Sequence, residues 1–352
     1  MLIRQTAPVL GAAGSPYDEP GQWQVSLAMR GLRSDDHYRL DEEQVQRHTL
    51  GTFVINHQYA ADLSITRAFS ERLSMSVGIP WVVASWSIPS PTSPVPGPRA
   101  QQDARGLGDM SVSSRYWLFD TKKYQNGNLA IGVGVKAPTG NYRARDLFPD
   151  SAGRNNTLRY VDQSVQPGDG GWGLELEAQT FRRFARAQTF ASASYLANPR
   201  DTNGTPSLLV SRLPPGVAPS ASAGTRVVNS VPDQYLVRIG GAMPIKKILV
   251  ASLAYRIEGQ RRYDLFGASH GFRRPGFEMF AEPGVSIARG RQVMSLTVPV
   301  GFYRNRKPDP YTGLQGDATF PRFIVLGSYS VRLGGKKAPA APFTPVPSKD
   351  GK

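Results

Sequence analysis

The sequence alternates apolar and polar residues with period two over unusually long stretches. In the clearest stretch every second residue is apolar, namely Leu73, Met75, Val77, Ile79, Trp81 and Val83. This is the period of a β-strand, whose successive side chains point to opposite faces. The pattern recurs about twelve times, in runs of roughly 11–19 residues, whereas strands of ordinary soluble sheets have about 5–6 residues. The chain is therefore predicted to be all-β, with strands long enough to cross a membrane.

The connections between these runs alternate between short and long. The short ones are predicted at 68–71, 120–127, 182–186, 244–247 and 288–291. The long ones are predicted at 34–48, 89–105, 140–168, 199–231, 261–274 and 305–319. Barrels of the bacterial outer membrane sort their connections in this way, with short periplasmic turns and long extracellular loops, whereas a soluble sandwich has no reason to do so. We therefore predict a transmembrane antiparallel β-barrel of about 12 strands.

Charged residues inside the predicted strands avoid the apolar face. An Arg or Lys that faces lipid near the membrane centre costs about 2–4 kcal/mol, so this separation is expected of a barrel. The charged residues on the opposite face are predicted to line the lumen, either along a transport path or in a plug, and they are Asp62, Asp109, Arg115, Lys136, Glu175, Glu177, Arg238, Arg256, Glu258, Glu278, Glu282 and Arg332.

The overall charge is strongly positive, with 42 Lys and Arg against 27 Asp and Glu and a formal net charge of +15. The arginines are scattered singly and form no stripe or basic helix, which argues against a nucleic-acid partner. Those in two long loops are predicted to form a basic outer rim, namely Arg143, Arg145, Arg154, Arg261, Arg262, Arg273 and Arg274. Such a rim can bind lipopolysaccharide phosphates or attract anions, and a merely solvated loop surface is the alternative. Membrane lipid is the other predicted macromolecular environment.

No residue pattern points to catalysis or to a cofactor. The chain has no Cys and four His, which excludes thiolate chemistry and disfavours a His-rich metal site. His57 lies on an apolar face, without the Ser that follows the catalytic His of outer-membrane phospholipases. Glu175 and Glu177 could form a catalytic carboxylate pair, but salt bridges to Lys136 and to inward arginines explain them better. We therefore predict that the protein is not an enzyme and needs no cofactor or metal.

Four segments between residues 50 and 180 resemble one family of outer-membrane barrels. They are the hairpin at residues 61–80, Gly106-Leu-Gly-Asp-Met-Ser-Val112, Gly134-Val-Lys-Ala-Pro-Thr-Gly140 and Gln166-Pro-Gly-Asp-Gly-Gly-Trp-Gly-Leu174. The resemblance is to the phenol meta-pathway degradation family, whose members are also labelled transporters. It implies a location in the bacterial outer membrane, the uptake of small hydrophobic and often aromatic molecules, and no catalytic residues.

These observations predict three regions and one function. Residues 1–21 are expected to be an N-terminal periplasmic segment, 22–333 the barrel, and 334–352 a disordered tail rich in Pro, Ala and Lys that could contact a periplasmic partner. The predicted function is passive uptake of a small molecule, through the lumen or out through the wall near a strand proline, with one long loop folded inward as a lid. The alternative is a closed, salt-bridged barrel that anchors or scaffolds a partner complex.

Overall fold

A single antiparallel sheet closes on itself to form a barrel of twelve strands. The structure, a computed structural model, describes residues 15–335 apart from 96, 185, 186 and 247. The sheet contains fifteen strand segments. One of these is a two-residue extension at the rim, and two barrel strands are each divided into two segments. The first and last strands pair over most of their length, from Trp23 with Leu333 to Tyr38 with Ala318, which closes the barrel. The prediction of a barrel with about twelve strands is confirmed.

The strands, in chain order, are β1 (Trp23–Arg39), β2 (Glu42–Glu43), β3 (Ile55–Ala68), β4 (Leu73–Pro89), β5 (Arg99–Leu107), β6 (Ser111–Trp117), β7 (Gly127–Lys136), β8 (Arg145–Phe148), β9 (Thr157–Tyr160), β10 (Gly173–Arg183), β11 (Gln188–Ala197), β12 (Thr202–Pro206), β13 (Val228–Ser230), β14 (Gln234–Lys246), β15 (Leu249–Gln260), β16 (Gly276–Arg289), β17 (Gln292–Thr297), β18 (Val300–Arg306) and β19 (Ala318–Leu333). The described helices are short: α1 (Gln46–Thr49), α2 (Leu208–Ser211) and two 3-10 helices, Gln163–Val165 and Ala221–Val227.

The predicted sorting of the connections is confirmed. The short connections follow β3, β6, β10, β14 and β16, at the end of the barrel that also holds both ends of the described chain. All the long connections lie at the other end. Two predicted loops are partly barrel strand instead: β1 continues to Arg39, and β5 occupies residues 99–105 of the predicted loop at 89–105. These strands extend because each continues the ladder of its neighbour beyond the apolar stretch.

The outer face of the barrel carries a wide apolar belt. Trp172 and Leu253 are 61% and 62% exposed, while Ala254, which points inward, is 5% exposed. A closed barrel satisfies its backbone hydrogen bonds internally and has no free sheet edge, so it can cross the hydrocarbon core of a membrane. The alternation seen in the sequence therefore separates a lipid-facing surface from a lumen.

None of the helices in the described ranges is long and apolar enough to cross a membrane.

Replacing Leu253 by arginine places a charge on this belt, near the middle of β15. We expect the barrel in lipid to lose about 2–4 kcal/mol of stability. Leu209→Arg is the matched control, because Leu209 is also exposed but lies in the long connection at 198–233, and it should cost less than about 0.5 kcal/mol. Urea unfolding in lipid vesicles, followed by tryptophan fluorescence, measures both. Equal losses would mean that Leu253 does not face lipid.

Candidate channel lumen and lid

The inward-facing charges of β1 and β14–β16 fill one side of the lumen, which we call the packed half. Arg30 of β1 reaches across to Glu258 of β15, with an Nη2–Oε1 distance of 2.5 Å. Glu258 also pairs with Arg256 at 2.5 Å, and Arg256 lies 3.4 Å from Glu282. Every side chain in these pairs is at most 6% exposed. Because a buried charge is tolerated only when it is paired, this network holds the wall segments in a fixed arrangement.

Four predicted lumen residues meet in this network, since Glu282 also binds Arg238. Glu278 lies directly opposite Glu258 in the ladder and is 5% exposed, with no ion pair among the described residues. Sequence reasoning missed Arg30, although it lies on the parity opposite Trp23 and Met29 and the same rule identifies it. Sequence reasoning also missed Arg304 and Arg306, which lie near the outer end of β18. Both side chains are buried and donate hydrogen bonds to backbone carbonyls.

The opposite side of the lumen, formed by β3, β4, β6, β7, β10 and β11, has partly exposed inward faces and is called the open half. Its predicted charges are Asp62, Arg115, Glu175 and Glu177, and all four are partly exposed. Around them the inward positions are small, namely Ser64, Ser76, Gly78, Ser111, Ser113, Gly132, Gly134 and Ser192. Small side chains leave solvent-accessible space where the packed half has long ones. The candidate path through the barrel therefore follows the open half.

The sequence interpretation paired Lys136 with Glu175 and Glu177, but in the structure Lys136 has other partners. Its Nζ lies 2.5 Å from Asp169 and 3.6 Å from Asp109, in a cluster that is almost wholly buried. Asp109 also accepts hydrogen bonds from the backbone N–H groups of Gly140 and Asp169, at 2.9 and 3.0 Å. Lys136 therefore forms salt bridges with Asp109 and with the loop residue Asp169, because it lies at the end of β7 and not in the middle of the lumen.

In this cluster the glycine-rich segments at 106–112, 134–140 and 166–174 contact one another. Thr139 donates a hydrogen bond to the carbonyl of Gly108 at 2.9 Å. A Cβ on Gly140 would lie 2.7 Å from the Cα of Gly168, so only glycine allows the two backbones to touch. Asp169 was not among the predicted residues, because it lies in a loop where strand parity says nothing. The Gly-Asp pair that two of the segments share, Gly108-Asp109 and Gly168-Asp169, was the available signal.

Above the cluster the barrel wall changes. The strand formed by β5 and β6 breaks at residues 108–110, and β6 pairs with both β4 and β7. β5 pairs with β4. On its other side, within the described chain, it meets the hairpin β8–β9, where the N–H of Asp103 donates to Asp146 at 2.7 Å. The hairpin β8–β9 of the long connection thus lies beside β5, in the position where a further barrel strand would continue the sheet.

The connection at 137–172 folds into the outer end of the barrel, as the sequence analysis anticipated for one long loop. We call this segment the lid. Ser164, in its 3-10 helix, donates to Asn56 of β3 at 2.9 Å, and Gln58 of the same strand donates to the carbonyl of Ser164 at 2.8 Å. Val161 and Val165 are buried against Trp86. The lid therefore covers the outer mouth beside β3 and β4 and has an apolar underside.

One ion pair fastens the lid to the connection at 261–275. The guanidinium of Arg274 makes two hydrogen bonds to the Asp162 carboxylate, at 2.9 and 2.7 Å, and Asp162 is fully buried. Burial by itself raises the pKa of Asp162, but the positive charge and hydrogen bonds of Arg274 outweigh it and hold this pKa below its ordinary value. The lid is therefore held by a charge pair that is complete at neutral pH.

Tyr17 packs inside the periplasmic end of the barrel. Its ring makes edge contacts with Trp117 and Phe181, with centroid distances of 5.0 and 5.9 Å. The side-chain amide of Asn128 donates to the Tyr17 hydroxyl at 3.0 Å. Part of the predicted periplasmic segment at 1–21 thus lies inside the barrel, because Tyr17 is large enough to cover the apolar rings there. Arg332 of the predicted lumen set lies at this end, 3.3 Å from Asp18.

The predicted basic rim is divided between the surface and the interior. Arg143, Arg145, Arg154 and Arg261 are exposed, and Arg262 is partly exposed. Arg273 is not on the rim, because its side chain is buried in a pair with Asp264 at 2.6 Å, and Arg274 is the lid partner described above. Residues 1–14 and 336–352, including the predicted C-terminal tail, lie outside the described residues.

The residues considered for catalysis are not arranged as a site. His57 is partly exposed on the outer face of β3, opposite Arg33 of β1. Within the described residues no group of three or more His, Asp or Glu side chains is placed to hold a metal ion. Glu175 and Glu177 are neighbours on one face of β10, and they line the open half.

Comparisons with known proteins agree with this architecture. Residues 44–193 match the model of the family described as "Putative MetA-pathway of phenol degradation". Among curated proteins no sequence matches. A solved outer membrane channel from Pseudomonas putida F1 aligns over 90% of this chain and 97% of its own, at 12% identity and a TM-score of 0.56. At such identity the likeness concerns the fold.

Two other solved barrels align less well. The β domain of the Bordetella autotransporter Brka aligns over 90% of this chain and all of its own, at 11% identity and a TM-score of 0.43. The CymD monoaromatic hydrocarbon channel aligns over 90% of both chains, at 10% identity and a TM-score of 0.41. These scores do not bear on function. The shared fold and the apolar exterior together show a β-barrel of the bacterial outer membrane, and residues 44–193 of this chain are similar to the phenol MetA-pathway degradation family.

Proposed function

We propose that the protein is a gated channel through which small hydrophobic or aromatic molecules cross the outer membrane. The observation that carries the proposal is the partly exposed open half of the lumen beneath a lid that other parts of the chain hold in place. A barrel built only as a solid anchor has no need for small inward residues on half of its wall. The family description, which refers to phenol degradation, supports an aromatic ligand.

Two features favour an apolar ligand at the outer end. The underside of the lid is lined by apolar side chains, among them Trp86, Phe148 and Val165. The lid hairpin β8–β9 also replaces a barrel strand beside β5, so moving the lid would open the wall towards the membrane as well as the mouth. An apolar molecule that passes the lid can then leave through the lumen or sideways into lipid. No described residue is required to react with it, and the proposed protein is not an enzyme.

The proposed gate can be tested with an engineered disulfide, because the chain has no cysteine. Asn56 and Ser164 are in side-chain contact and both are short, so Asn56→Cys/Ser164→Cys should join the lid to β3. We expect cells that carry the oxidised variant to take up the hydrophobic dye N-phenyl-1-naphthylamine about as slowly as cells without the protein. Dithiothreitol should then restore the faster rate of the wild type.

Both single-cysteine variants are the controls for this experiment, and they should not respond to the reductant. A wild-type rate no faster than that of cells without the protein would contradict the channel. It would favour the alternative of a structural barrel, for which the salt-bridged packed half and the Tyr17 contacts are the supporting observations. A rate that is fast and independent of the disulfide would leave a channel but not this gate.

We also propose that the exposed arginines of the outer loops bind lipopolysaccharide phosphates. Arg143, Arg145 and Arg154 project from the lid connection and Arg261 from the connection at 261–275. Arg145 lies over the ring of Tyr160, at 4.3 Å from the centroid, which holds its guanidinium at the surface. Scattered exposed arginines at this level of the barrel face the phosphate layer of the outer leaflet.

A further inference from the structure

The inward-facing charges differ in burial between the two halves of the lumen. In the packed half, Arg30 and Arg256 are tied to glutamates at 6% exposure or less. On the strands of the open half the inward-facing Lys136 and Arg183 are buried, and the partly exposed charges are three carboxylates, Asp62, Glu175 and Glu177, and one guanidinium, Arg115. Their sum is 1 − 3 = −2, the opposite sign to the net charge of +15 for the whole chain.

The geometry keeps these carboxylates at the surface of the open half. Arg115 on β6 and Glu177 on β10 both lie opposite Gly132 of β7 in the ladder. A Cβ on Gly132 would lie 3.3 Å from the Glu177 Oε2, so the carboxylate lies over a residue that has no side chain. Arg115 in turn is within hydrogen-bonding distance of the Gln179 side-chain oxygen, at 2.6 Å. The one partly exposed guanidinium of the open half thus has a neutral partner on β10.

Glu175 stands one step nearer the outer mouth. It lies opposite Gly134 on β7, with Ser113 of β6 in the same row, so its neighbours on that side are small. No cation in the described part of the chain forms an ion pair with Glu175. Lys136, the nearest basic residue along β7, is bound to Asp169 instead. A solute that follows the open half therefore passes a carboxylate that no described cation neutralises.

We propose that the open half of the lumen selects against anions, with Glu175 as the main determinant and Glu177 as its neighbour. Charged side chains at a narrow point set the sign of the solutes that pass, and the low-dielectric wall of a barrel strengthens their field. The substrates of the channel would then be neutral or cationic aromatic molecules, and aromatic carboxylates would be excluded. This inference rests on the proposed channel function.

Reversal potentials in planar bilayers test the inference. The probes are phenyltrimethylammonium and benzoate, which are similar in size and carry fixed opposite charges at pH 7.5. Each is presented as its chloride or sodium salt in a concentration gradient, to wild type and to Arg274→Ala, in which we expect the lid to be released. We expect phenyltrimethylammonium to be about 3–10 times more permeant than benzoate at low salt.

The variants Glu175→Gln and Glu175→Gln/Glu177→Gln should reduce this ratio to about 1–2, with the double variant lower. Glu42→Gln/Glu43→Gln removes two neighbouring carboxylates from the exposed first extracellular connection and is the matched control, which should keep the wild-type ratio. A wild-type preference for benzoate, or a ratio that does not change in the Glu175 variants, would overturn the inference while leaving the channel intact. Silence of both wild type and Arg274→Ala would overturn the inference, and together with the absence of dye uptake by cells it would also remove the proposed channel function.

Discussion

Replacing Arg274 by alanine is expected to open the barrel at its outer end. The substitution leaves the fully buried Asp162 carboxylate without its partner, which costs about 3–5 kcal/mol for a buried ion pair broken on one side. The lid can avoid this cost by leaving the mouth, where the carboxylate regains water. Because each 1.4 kcal/mol is a factor of ten in an equilibrium constant, we expect the open fraction in single-channel recordings to rise at least about tenfold.

Arg261→Ala is the control for this variant, since Arg261 lies in the same connection but is exposed. It should leave the open fraction unchanged. A closed Arg274→Ala channel would show that the lid is held by its apolar underside and the contacts of Ser164 rather than by the ion pair.

The same ion pair predicts how the wild-type channel responds to pH. The pKa of Asp162 is lowered in the closed state, so the pair stabilises closure fully above the pKa of an ordinary aspartate. That contribution is lost as the pH falls through the lowered pKa, and the open fraction should increase in acid. In Arg274→Ala the acid response should be absent or much smaller, because Asp162 has then lost the partner that lowers its pKa.

Replacing Lys136 by methionine is expected to cause the second large effect, on stability rather than on gating. Asp169 and Asp109 would then face each other in a buried cluster without the cation that binds both. Two uncompensated carboxylates in one buried site should destabilise the barrel by about 3–5 kcal/mol. Urea unfolding in lipid vesicles, followed by tryptophan fluorescence, measures this loss directly.

Lys122→Met is the matched control, because Lys122 is 76% exposed in a periplasmic turn and only 3.6 Å from Glu71. Such a surface pair contributes at most about 1 kcal/mol. The double variant Lys136→Met/Asp169→Asn should recover part of the loss, since it removes one of the two charges left unpaired. Equal stabilities of Lys136→Met and wild type would mean that the cluster does not hold the three glycine-rich segments together.

How far the sequence could predict the site depended on whether a residue lies in a strand. Within strands, parity alone placed Arg238, Arg256 and Glu282 on the inward face, and the same rule extends to Arg30. It could not show that Arg30 crosses the lumen to Glu258, because the two residues are 228 positions apart and belong to strands that are not neighbours. Register within one hairpin carries no information about which strands face each other across a closed barrel.

The partners of charged loop residues could not be predicted from strand parity for a related reason. Asp162, Asp169 and Arg273 have no alternating neighbours, so nothing local distinguishes a buried ion-pair partner from a solvated charge. Arg273 and Arg274 were therefore assigned to an exposed rim, and only the folded loops show that both are paired with buried aspartates.

The sequence by itself determined the all-β class, the number of strands, the lipid-facing surface and the sorting of short and long connections. Each of these follows from local alternation and from the length of the runs, because the bilayer imposes the same requirement on every strand. Only the tertiary structure decided which half of the lumen is packed and which is open, how the lid is fastened, and where Lys136 finds its partners. Those outcomes depend on contacts between residues far apart in the chain, whose geometry exists only once the barrel has closed.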